Sequence, residues 1–115
     1  MDNTFVIIFR QGPRTLTPAD LQRRAQETSV WARRQNDAGY RLNPHILTPD
    51  RERRGVDMDG ATGIDAWPIT ALLLLEARDL ADAARVAGEH PAIAYGANVE
   101  VRPWARPAPA AAAST

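Results

Sequence analysis

A chain of 115 residues has room for one domain with a single core, and its 14 basic and 14 acidic side chains cancel. No face basic enough to hold a phosphate backbone by counterion release is expected, so nucleic acid is a disfavoured partner. Cysteine is absent, which removes disulfides, thiolate catalysis and thiolate metal sites together, and two histidines leave little material for any other metal centre.

Every cation is arginine and none is lysine; with the abundant alanine this reads as a composition bias. Met1, Asp2, Asn3 and Thr4 offer neither the basic region nor the apolar stretch of a secretory leader, and no run reaches membrane-spanning length. A cytoplasmic protein with no membrane partner is the expectation.

Phe5, Val6, Ile7, Ile8 and Phe9 are aromatic or β-branched and are stopped by Gly12 and Pro13, which predicts a strand over about residues 4–10. Arg10 at its end is either an anion-binding group at a pocket mouth or a solvated strand terminus. Thr17, Pro18 and Asp20 then form a helix start, with a capping side chain, a ring suited to the first turn and an acid to answer the cap. The helix should run to about Ala38, with Arg33 and Arg34 near its carbonyl-rich end and Gly39 as its left-handed stop. Leu21, Ala25, Thr28, Trp31 or Ala32, and Gln35 share one side of it, a thin apolar stripe. Trp31 is its core anchor or a stacking wall for a ligand.

From Tyr40 the pattern changes to period two. Tyr40, Leu42, Pro44 and Ile46 fall on one face of a strand, and Arg41, Asn43 and His45 on the other; Pro44 favours an edge position. A turn over residues 48–52 precedes a further strand at about 54–58. Trp67 lies in a loop, as a pocket lid or a cover for the core.

Residues 69–104 organise the rest of the chain. Ile69 opens an apolar run through Leu75, Asp79 caps a helix whose Leu80, Ala83, Ala84 and Ala87 form a small-residue stripe, Gly88 and Pro91 end it, and a last strand spans about 97–102. The resulting order β-α-β-β-β-α-β is that of a ferredoxin-like α+β sandwich with one extra or split strand. The domain covers residues 1–104, and the Pro- and Ala-rich tail 105–115 is expected to be disordered. With both helices on one sheet face, Phe5, Ile7, Phe9, Leu73, Leu75 and Val99 or Val101 are too many for the space beneath them. The other face therefore needs a cover, and a second copy of the chain is the simplest one.

The chain resembles the YCII-related proteins, in particular the DGPF branch, over about residues 4–104. The similarity rests on Phe9 and Arg10 ending the first strand, a Trp-bearing helix stopped by Gly39, Leu75, Glu76 and Ala77 leading into Asp79 and Leu80, then His90, Pro91, Gly96 and the ending Val99, Glu100, Val101, Arg102, Pro103. Asp59 and Gly60 match the first half of the four-residue motif, and Ala61 and Thr62 replace its second half. The resemblance implies a dimeric α+β barrel, and in some relatives a small lyase acting on ring-derived acids through a His and an Asp. The position of that His holds Thr28, which has no titration near neutral pH, so the chemistry does not transfer to it.

Candidate chemistry must come from elsewhere. His45, beside Arg41, is a general base next to an anion-binding cation if its strand face lines a cleft, and an ordinary wet residue otherwise. Asp57 and Asp59, two apart, are paired carboxylates for proton transfer, or merely solvated loop acids. His90 follows the second helix, where a partly charged imidazole would favour the helix end; it is otherwise a ligand-binding group. These residues suggest a homodimer with a cleft between the long helix and the sheet, holding a small organic acid or aromatic metabolite. Arg10 or Arg41 would bind the acid, Trp31 and Trp67 would wall it, and His45 with Asp57 or Asp59 would move protons in a cofactor-independent lyase, isomerase or cyclase. The competing expectation is a noncatalytic dimeric accessory or regulatory protein.

Overall fold

The computed structural model describes residues 3–52, 54–55 and 67–105. The strand expected at about 54–58 lies largely outside them, as do Asp57, Asp59, the half-motif at Asp59 and Gly60, and tail residues 106–115.

Strand β1 (Asn3–Gln11) leads to helix α1 (Pro18–Asp37), edge strand β2 (Arg41–Ile46), strand β3 (Ile69–Ala77), helix α2 (Leu80–Gly88), a 3₁₀ turn (Pro91–Tyr95) and strand β4 (Ala97–Pro103). Local chemistry sets these limits. The Thr17 hydroxyl accepts the Asp20 amide and the Asp20 carboxylate accepts the Thr17 amide, both at 3.1 Å, closing a capping box at the start of α1. At its other end Gly39 takes φ +98°, while the Gly39 amide reaches the Asn36 carbonyl and the Tyr40 amide the Gln35 carbonyl, each at 3.0 Å. That is a Schellman stop, and it turns the chain straight into β2.

The strands form one antiparallel sheet in the order β2-β3-β1-β4, an arrangement compatible with a ferredoxin-like α+β fold. Pro44 sits on strand β2, which among the described residues is an edge strand with one side of its ladder unpaired, so a missing amide is tolerated.

The register corrects the assignment of sheet faces. Phe5 pairs with Leu75, Ile7 with Leu73 and Val101, and Phe9 with Ala71 and Val99. Directly opposed residues share a face, so this whole set does point under the helices, where Phe5, Ile7, Phe9, Leu73 and Leu75 are buried with Val99 and Val101 packed against them. They fit because the residues presented by α2 are small, with Ala83, Val86 and Ala87 fully buried. The outward face instead carries Val6, Ile8, Leu72 and Leu74, paired as Val6 with Leu74 and Ile8 with Leu72, and each is partly buried.

The two helices sit differently on the inner face. Helix α2 reaches β4, β3 and β1, whereas α1 rests mainly on the 3₁₀ turn and on β2. Only Trp31 and Gln35 of α1 are buried, as its thin apolar stripe dictates. The space left between α1 and the central strands is the cleft described next.

Candidate functional site

The cleft has a volume of about 870 Å³, within the range of small-molecule sites. Its sheet wall is built from Phe9, Leu42 and Leu73, and its helix wall carries Arg24, Thr28 and Trp31. The last three stand at spacings of four and three, so the 3.6-residue repeat stacks them on one face of α1.

His90 joins the two walls. Its ring meets Phe9 edge-on at 4.7 Å between centroids and Trp31 at 4.6 Å. Its Nδ1 accepts the Ala92 amide at 3.0 Å, which makes it the N-cap of the 3₁₀ turn. Burial first, and the Arg24 guanidinium second, push the imidazole down to about 4. In place of the partly charged imidazole expected from its position after α2, burial and Arg24 both oppose protonation of this ring.

Arg24 is half-buried, yet among the described residues it has neither a counter-ion nor a hydrogen-bond acceptor. Arg14, also on the cleft, is engaged: it donates to the Ala94 carbonyl at 2.8 Å and lies 5.8 Å from the centre of the Tyr95 ring. Tyr95 in turn donates to the Glu27 carboxylate at 3.1 Å, fastening the 3₁₀ turn to α1. The Trp31 indole N–H is buried without an acceptor among the described residues. No carboxylate among the described residues lines the cleft. It presents donors and cations over an apolar, aromatic base.

The residues singled out from sequence divide between two places. Trp31 and His90 line this cleft. Arg41 and His45 alternate with Leu42 and Pro44, which the register places opposite Leu75 and Leu73 on the helix side, so both point away from the cleft and are exposed. Arg10 is also on that outward face, paired with Glu100 at 2.6 Å. It lines a second pocket with Trp67, away from Trp31. The grouping of Arg41 and His45 with Trp31 across one cleft is therefore corrected by the register. Arg24 was missed because a charge in a helix stripe reads as a solvated interruption. Its position four before Thr28 and seven before Trp31 was the available signal.

Among the described residues no group of three or more His, Asp or Glu side chains is placed to hold a metal ion. No described helix is long and apolar enough to cross a membrane. No family model matches the chain, and no curated protein matches it.

Proposed function

We propose that this is a small-molecule-binding protein of YCII-like, ferredoxin-like architecture, whose α1–sheet cleft holds a small organic acid with an aromatic or otherwise apolar body. The observation that carries this is Arg24, a half-buried cation without a partner among the described residues, set beside the aromatic walls Phe9 and Trp31. A cation withdrawn from water is unfavourable until an anion meets it, and its planar fork suits a carboxylate. Binding is better supported than proton transfer, because no described carboxylate lines the cleft to assist His90. A lyase, isomerase or cyclase reaction would need a base from elsewhere, such as Asp57 or Asp59.

Thermal shift with 2-naphthoate and phenylacetate tests this. Each acid should raise the melting temperature, a ligand at a hundred times its dissociation constant adding about 2.7 kcal/mol. Arg24→Met should abolish the shift. Equal stabilisation by the neutral amides of these acids would overturn the assignment.

One observation favours a second role, that of a noncatalytic dimeric accessory protein. The outward sheet face carries Val6, Ile8, Leu72 and Leu74 between the polar rows Arg41, Asn43, His45 and Asn98, Glu100, Arg102. An apolar centre with a polar rim is the pattern of a self-complementary interface, and two such sheets would close a dimeric barrel. Sedimentation should give a dimer at micromolar concentration and a monomer for Leu74→Arg. A wild-type monomer would rule out the barrel while leaving the cleft open to test.

A further inference from the structure

The imidazole at the junction of the cleft walls has one nitrogen committed and one not. Nδ1 accepts the Ala92 amide at 3.0 Å, so in the neutral ring the proton resides on Nε2. Among the described residues Nε2 makes no hydrogen bond, since the Ala92 contact is the only one the His90 side chain has. We propose that His90 is a fixed hydrogen-bond donor of the cleft, its Nε2–H recognising an oxygen acceptor on the bound acid, so that the site selects its ligand by donation and not by proton transfer.

The geometry opposes the other two states of the ring. The Nδ1–H tautomer, which a general base acting through Nε2 requires, would set one N–H against the amide N–H of Ala92. The imidazolium would do the same and would add a charge beside Arg24. Rotation of the ring is checked by Phe9 on the sheet side and Trp31 on the helix side, both in edge contact with it. Arg24 is the charged group that acts on the imidazole, and Arg14 also lines the cleft; Glu27, bound to Tyr95, does not line it. Nothing among the described residues therefore stabilises a protonated ring. His90 and Arg24 then perform separable tasks: the guanidinium reads charge, and Nε2–H reads an acceptor, charged or not.

This rests on the cleft being the ligand site, and the experiment separates the two failures. Calorimetry would compare 2-naphthoate, its methyl ester and 2-naphthylmethylammonium on the wild type, Arg24→Met and His90→Asn. The asparagine keeps an oxygen able to cap Ala92 but lacks the ring donor; an unchanged heteronuclear spectrum elsewhere checks that it folds. His90→Asn should weaken the acid and the ester alike, roughly tenfold, the scale of one hydrogen bond to a charged or polar acceptor. Arg24→Met should weaken the acid far more than the ester, and the ammonium should not bind. Wild-type binding heats at pH 7 should be identical in buffers of different ionisation enthalpy, since no proton moves. Nitrogen-15 spectra should show His90 as the Nε2–H tautomer from pH 8 down to pH 5.5. An Nδ1–H tautomer, proton uptake on binding, or unchanged affinities in His90→Asn would overturn the donor role. Absence of wild-type binding to every probe would overturn the cleft as well, and naphthoate binding insensitive to Arg24→Met would overturn the cleft reading alone.

Discussion

Tyr40 donates its hydroxyl proton to the carboxylate of Asp82 across 2.8 Å, joining the residue that leaves α1 to the first turn of α2. Both side chains are buried, and Arg85 completes the contact by donating to the Tyr40 oxygen at 2.7 Å and to Asp82 at 3.1 Å. The Tyr40 hydrogen bond, followed by those from Arg85 and from the Arg78 amide, holds the Asp82 carboxyl far below the usual carboxylate range. The same bond pushes the Tyr40 phenol up. With this tie at its C-terminal end and the Tyr95–Glu27 bond further back, α1 is held by its neighbours rather than by contact with the central strands. That is how the cleft persists beneath it.

The contact makes a stability prediction with a definite sign. Asp82 binds its proton less readily folded than unfolded, so its contribution is fully present above the unfolded value near 3.8 and is lost as pH falls below it. Tyr40→Phe should lower stability by about 1–2 kcal/mol, by removing a buried hydrogen bond to a charge, and should make the acid transition shallower below pH 4. Urea titrations at pH 7 and pH 3 check this; an equal loss at both would separate Tyr40 from the ionisation of Asp82.

A second variant should stabilise. Gln35 is 5% exposed and, among the described residues, its side-chain amide has no hydrogen-bond partner, so its burial carries a desolvation cost that no described hydrogen bond offsets. Gln35→Met has nearly the same length without that penalty and should gain about 1 kcal/mol, measured as a higher urea midpoint at unchanged slope. A loss of stability would mean that the amide is satisfied by water in solution.

Much of the fold was legible in the residues because it is encoded locally. Thr17, Pro18 and Asp20 marked the helix start, Gly39 its stop, and the alternation from Arg41 placed Arg41, Asn43 and His45 together on one side of a strand. What local patterns cannot encode is which side faces inward, because that depends on pairing with a strand more than twenty residues away: Pro44 opposite Leu73 turns His45 outward. A cleft between the long helix and the sheet was expected, but which residues meet across it was illegible for the same reason. Trp31 and His90 are 59 positions apart, and only the 3₁₀ turn that His90 caps brings them together. Arg24 showed the converse difficulty, a local residue whose meaning lay in what fails to surround it.

Gly12 is required by its neighbour. A Cβ built there would lie 2.7 Å from Cη2 of Trp67 and 3.1 Å from the Gly96 carbonyl oxygen. Gly12→Ala should therefore displace the indole and destabilise by about 1–3 kcal/mol, with a shift in tryptophan emission. Trp67→Leu in the same background should recover part of that loss, because it removes the atoms in closest conflict. Strictly additive effects of the two substitutions would place the strain in the backbone at Gly96 instead.

The last prediction concerns pH and His90. Its folded value, pushed down to about 4 by burial and by Arg24, lies below the 6.5 of an ordinary imidazole. The unfolded chain thus binds a proton that the folded chain refuses. Stability from the neutral ring is complete above about pH 6.5, declines as pH falls from there toward 4, and changes no further below that. His90→Asn should flatten this interval while keeping an acceptor for the Ala92 amide, and His45→Asn, on the exposed edge strand, provides the comparison. Arg24→Met should flatten it only in part, because the guanidinium is the lesser of the two causes. A slope that survives His90→Asn intact would place the titrating group elsewhere and remove the protonation cost assigned to the burial of His90 beside Arg24.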